Sequence, residues 1–181
     1  MKKLIASLMI AATSLSLVSC NATPKNEAAA AERTTGAQDT IAAFKAKDPT
    51  MANLFNSAHG YAVFTNVGKG GLIVGGAHGK GEVWEQGRKI GWAQMSQATI
   101  GAQIGGQSFD EIIFFETKEA MDNFKRSEFE VAAQASAVAA ASGAGANARY
   151  EKGVMIFTLG ERGLMVEAAV GGQKFKFEPL T

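Results

Sequence analysis

Hydrophobic positions along this chain change their spacing at Gly60. Upstream, in AQDTIAAFKAKDP, Ile41 and Phe44 fall at helical intervals and share a face with Lys45. Pro49 ends that helix, because proline offers no N–H and clashes with the preceding turn. Asp48-Pro49 resembles an N-cap followed by proline at the first helical position, and Met51, Leu54 and Phe55 carry a second short helix to Ala58. Downstream, YAVFTNV, GLIVGGAHGKGEVWE, RKIGWAQMSQATIGAQIGG and FDEIIFFET alternate or run apolar and read as strands. Glu85-Gln86-Gly87-Arg88 is the predicted tip of a hairpin, with Glu85 opposite Arg88 and Val83 opposite Ile90. TKEAMDNFKRS reads as a helix capped by Thr117, with Ala120, Met121 and Phe124 on one face. Residues 128–148 are ambiguous: alanine favours helix, while the alternation of Phe129, Val131, Ala133 and Ala135 permits a strand. The last segment, from Tyr150, adds two or three strands and turns at Gly160-Glu161-Arg162-Gly163.

Glycine sharpens this picture. Eight glycines fall between residues 60 and 81, among two lysines and a histidine. A phosphate loop fails on register: Val63 and Val74 stand where a Walker pattern needs its first glycine, and Gly70 and Gly81 where it needs Ser or Thr. The dinucleotide pattern fails at Ile73 and Trp84. Read as a strand, Gly71 to Glu85 puts Gly71, Ile73, Gly75, Ala77, Gly79, Gly81 and Val83 on one face nearly bare of side chains. Glycine weakens strands, so such a face predicts close packing and tight curvature.

The chain begins MKKLIASLMIAATSLSLVSC. Lys2 and Lys3 precede an apolar stretch, Leu4 to Leu17, too short to span a bilayer comfortably. It reads as a secretory signal. Leu17-Val18-Ser19-Cys20 resembles a bacterial lipobox, which implies cleavage before Cys20 and acylation of its thiol and new amino group. Residues 1–19 are then the signal peptide, 20–36 a small, polar, alanine-rich lipidated tether that is helical in part, and 37–181 the folded domain. Asn21, in place of Asp, implies sorting to the bacterial outer membrane, with the domain facing the periplasm. Cys20 is the only cysteine, which excludes a disulfide framework and a thiolate metal site. Past the leader, 16 basic residues face 17 acidic ones, so charge gives no argument for nucleic acid.

GYAVFTNVGKGGLIVGGAHGKGEVW, then SQATIGAQIGGQSFDEIIFF, then KGVMIFTLGERGLMVEAAVGG resemble the SYLF domain over residues 37 to 178. That family includes lipid- and actin-binding domains of eukaryotic endocytic adaptors and bacterial envelope lipoproteins. Thr65 departs from the proline common in the family, and 131–148 is more alanine-rich than the usual strand-like pattern, which favours strand there. The expected fold is α+β: N-terminal helices packed on a strongly curved, mostly antiparallel sheet or barrel. The resemblance implies binding of membrane phospholipids with anionic headgroups, without catalysis. The other reading is a structural or protein-interaction module of the envelope. Actin has no counterpart in a periplasm.

The candidate headgroup residues are Lys69, Lys80, Arg88 and Lys89. Lys69 lies in Asn66-Val67-Gly68-Lys69-Gly70-Gly71, read as a turn whose N–H groups form an anion nest. Trp84 and Trp92 suit either a membrane interface or a core. No nucleophile motif is present, neither His59 nor His78 sits in a metal-ligand pattern, and no cofactor is implied. Asp110-Glu111 is expected to open a strand on its solvent side.

Overall fold

A computed structural model describes residues 21–71, 74–100, 107–127, 130–131, 137–139, 143–160, 163–167 and 173–180. In chain order they form α1 (Glu27–Lys47), α2 (Met51–Ser57), β1 (Gly60–Gly71), β2 (Val74–Glu85), β3 (Arg88–Ile100), β4 (Gln107–Phe115), α3 (Lys118–Lys125), β5 (Glu130–Val131), β6 (Ala137–Ala139), α4 (Ala144–Asn147), β7 (Val154–Gly160), β8 (Gly163–Glu167) and β9 (Gln173–Pro179). The strands make one sheet in the order β5-β9-β3-β2-β1-β4-β7-β8-β6. Every described pairing is antiparallel, and none joins β5 to β6. The α+β class expected from the sequence is therefore present, as an open sheet among the described residues.

The sheet is covered on both faces. Phe44 of α1 and Met51 and Leu54 of α2 pack with Val63, Ile112, Phe114 and Phe157, here called the outer face. Ala120, Met121 and Phe124 of α3 pack on the inner face with Phe64, Ile113, Phe115 and Phe175. Double coverage explains the unbroken apolar run of β4: Ile112 and Phe114 fill one core, Ile113 and Phe115 the other. It also corrects one expectation. Glu111 has no solvent side to occupy and is fully buried, its Oε2 accepting a bond from Gln173 Nε2 at 2.8 Å. Four strand steps separate β4 from β9, about 19 Å in a flat sheet. Phe64 and Phe175, three steps apart, bring their rings to 5.7 Å.

Local chemistry sets the ends of the elements. The β2–β3 hairpin turns through Gln86 at φ 49° and Gly87 at φ 76°, the paired left-handed residues of a type I′ turn. Glu85 pairs with Arg88 as expected, but Val83 pairs with Gly91 because a bulge at the strand start shifts the register. Asp48 is buried, and its Oδ1 accepts from Thr50 N at 3.0 Å and Thr50 Oγ1 at 2.7 Å. α2 itself begins at Met51, with Thr50 as its cap and no side-chain capping bond. Asp48 and Pro49, expected at the cap and first helical position, therefore lie ahead of them, and Asp48 closes a local turn instead. Its Oδ2 accepts from Gly145 N at 2.7 Å, which ties α4 to the same point. Gly160 pairs with Gly163, so the ends of that turn stand where expected; its two central residues lie outside the described residues.

The N-terminal boundary differs from the sequence reading. The helix expected from Ala37 begins at Glu27, capped by Asn26, whose side chain accepts from Ala29 N at 2.9 Å. Ala22 is fully buried, and Thr23 donates from N and Oγ1 to Glu178 Oε2 at 2.7 and 2.6 Å. The segment read as a partly helical tether is helical from Glu27, and Thr23 ahead of it is bonded to β9. Of residues 128–148, β5, β6 and α4 are described; the rest lies outside the described residues.

Candidate functional site

Strand register assigns each candidate side chain to a face. β1 carries a bulge between Thr65 and Gly68, after which Lys69 stands opposite Ala77. Ala77 belongs to the inner core, so Lys69 lies on the inner face. Lys80, opposite Thr65, lies on the outer face with Glu82 and Trp84. Lys69 and Lys80 thus occupy opposite faces of the sheet. The expected turn at residues 66–71 is strand, with Asn66 at φ 55° in the bulge and its N–H donated to Asp110 Oδ1 at 2.7 Å. Arg88 is exposed beside the hairpin tip. Cys20 lies outside the described residues.

Lys89 is engaged within the fold. Its Nζ donates to Glu82 Oε1 at 3.1 Å and Thr34 Oγ1 at 2.9 Å, and sits 4.4 Å from the Trp92 ring centre. Glu82 is fully buried and also accepts from Thr34 at 2.5 Å. Arg33 lies over the same ring at 5.2 Å and donates to the Ala22 carbonyl. Burial lowers the Arg33 pKa, opposed by attraction to Glu82 and Glu178. A buried carboxylate needs such partners, since an uncompensated charge in an apolar setting is very costly. This cluster clamps α1 to β2 and β3. Trp92 is part of it, and Trp84 stacks on Tyr61 at 6.1 Å, so both tryptophans serve packing.

Beyond the clamp the outer face is polar. Thr65, Lys80, Gln94 and Lys176 form one cross-strand row. Gly68, His78, Ser96 and Lys174 form the next, and all four are exposed. Lys176 pairs with Glu178 at 2.9 Å while remaining 58% exposed. Lys174 and Lys176 escaped the sequence reading, although the alternation in QKFKFE signals two lysines on one face of a strand. His59 bonds Glu85 at 3.1 Å next to Lys125, a structural role. Among the described residues there is no group of three or more His, Cys, Asp or Glu able to hold a metal. No described helix is long and apolar enough to cross a membrane.

Comparison with known proteins now bears on this face. Residues 96–179 match the family described as Las17-binding protein actin regulator. The chain is 33% identical over 132 residues to Beta cell expansion factor A of Aeromonas veronii. The chain belongs to the SYLF family. The aligned region covers 71% of this chain and 49% of that relative, so the chain spans about half the length of the curated relative it matches. The family is associated with lipid and actin binding. The matched segment runs from the middle of β3 through β9 and so includes Ser96, Lys174 and Lys176.

Proposed function

We propose that this protein is a non-catalytic, membrane-anchored lipid-binding domain that recognises anionic phospholipid headgroups. Membership of a family known for lipid binding is the observation that carries this reading. The exposed lysines of the outer face support the preference for anionic headgroups, because a near-neutral chain must attract anions through a local patch. The anchor is the acylated Cys20, on the bacterial outer membrane and facing the periplasm. The side-chain bridge between β4 and β9 supports a strongly curved sheet as the scaffold. The family description names a protein partner, which favours an envelope protein-interaction module as the second reading.

Acylation is tested directly. Three acyl chains each contribute about 0.8 kcal/mol per buried methylene. Cys20→Ser is therefore expected to move the protein wholly from the detergent phase to the aqueous phase. Unchanged partitioning, with intact mass showing an unprocessed N-terminus, contradicts the anchor.

A further inference from the structure

We propose that the outer-face surface formed by Lys80, Ser96, Lys174 and Lys176 is where the anchored protein rests on an anionic bilayer. The orientation is fixed because the chain enters the fold beside that surface. The proposal rests on the anchored, lipid-binding reading above and adds to it which face meets the membrane.

Two independent observations converge here. The first is the entry point. Ala22 is buried, and Thr23 donates twice to Glu178, two residues along β9 from Lys176. Cys20 is two residues before Ala22 in the sequence, so an acyl group on Cys20 is joined to that fixed point by a two-residue link. An acyl group on Cys20 holds the domain on a short leash, and the bilayer must lie close to this end of β9. The interactions of Arg33 and Thr34 with Trp92 and Glu82 hold the following helix in place as well.

The second is the charge beside it. Lys80 and Lys176 share a cross-strand row two strand steps apart, about 10 Å. Lys174 is one pleat repeat along β9, about 7 Å away. Acidic groups nearby offset part of this charge, Glu178 by pairing with Lys176, which stays 58% exposed. Glu82 is buried against Lys89 and Thr34, and Glu178 binds Lys176 and Thr23. Glu130 of β5 stands opposite Lys174 in register. His78 adds an exposed, titratable ring to the same row. The three lysines therefore lie within one Debye length or so of a surface that the anchor brings near. Lys69, on the inner face, lies outside this arrangement, and so does α3.

The experiment uses the acylated mature protein in phosphatidylglycerol-containing vesicles. One spin label is attached at Ser96→Cys and, in a second preparation, at Lys118→Cys on α3, where the native side chain is 71% exposed. Acylation blocks Cys20. Collision with a water-soluble nickel chelate is expected to fall severalfold at position 96 relative to position 118. Adding Lys174→Glu and Lys176→Glu is expected to restore collision at 96 in protein that circular dichroism shows to be folded, with some loss of melting temperature because Lys176 pairs with Glu178. Equal accessibility at the two positions in protein shown by intact mass to be acylated overturns this surface and leaves the anchor standing. An unmodified Cys20 by intact mass overturns the anchored reading itself, and this surface with it.

Discussion

Single residues carry the close packing that the glycine-rich stretch implies. A Cβ on Gly79 would meet the Val67 side chain at 2.7 Å, and one on Gly81 would collide with the Val63 carbonyl and meet the Phe64 ring at 2.8 Å. Nothing lies within 4 Å of a Cβ at Gly68 or Gly70. Gly81→Val is therefore expected to destabilise the fold by about 1–3 kcal/mol or more, as overpacking does, while Gly68→Ala stays within about 0.5 kcal/mol of the parent. Urea midpoints compare them; equal midpoints would contradict close approach at Gly81. The bare inner face was legible from alternation alone. Which glycines are crowded was not, because that depends on strands β1 and β2 meeting in a register set by an unforeseen bulge. The surroundings of Gly75 lie outside the described residues. Glu82 makes a second test. Glu82→Gln leaves Lys89 without its counter-charge and is expected to cost about 3 kcal/mol. The double variant Glu82→Gln with Lys89→Met is expected to cost less than the sum of the single changes. Additive losses would show that the pair is not coupled.

Among the elements, α1 departs most from the sequence reading. Its first ten residues are alanine-rich and polar and bury few side chains, so no hydrophobic period marks them. What orders them is specific pairing of Thr34 with β2 and β3, 48 and 55 positions away along the chain, behind the Thr23 clasp on β9, 155 positions away. Local reading had no access to that. The β4 run, by contrast, showed its double burial in four consecutive apolar residues. The clasp at Glu178 predicts a pH dependence. Burial would raise this carboxyl, but bonds from Thr23 Oγ1, Lys176 and the Thr23 and Ala22 N–H groups hold it at about 2, against an ordinary 4.5. A depressed folded-state pKa stabilises above the unfolded value and fades as pH falls through the folded value. The stability difference between the parent and Glu178→Gln is expected to be full above about pH 4.5 and gone near pH 2. Its size is about 1–2 kcal/mol once solvent screening is allowed for. A difference that stays constant across that range would mean the carboxylate charge plays no part in holding Thr23. Asp48 follows the same sign, its carboxyl drawn down by Gly145 and Thr50 against the upward push of burial.

At the scale of the molecule, helices cover the outer face near β1 and β4 and, through the α1 clamp, the Glu82–Trp92 row, and leave the Lys80–Lys176 and His78–Ser96–Lys174 rows polar. The sequence pointed to the family and to lysines, but it grouped Lys69, Lys80, Arg88 and Lys89 by nearness along the chain. The sheet regroups them: Lys69 goes to the inner face, Lys89 to the α1 clamp, and Lys80 joins Lys174 and Lys176. The proposed lipid recognition therefore depends on charges that meet only when β3 pairs with both β2 and β9. The most direct measurement is sedimentation of an unacylated chain, residues 21–181, with vesicles that either contain or lack phosphatidylglycerol. Each lysine near an anionic surface contributes about 1 kcal/mol. Binding is therefore expected to be weak, to favour anionic vesicles, to fade as salt shortens the Debye length, and to drop about tenfold or more in Lys174→Glu with Lys176→Glu. Equal binding to both kinds of vesicle, or binding to neither, would contradict anionic lipid recognition and favour the protein-interaction reading.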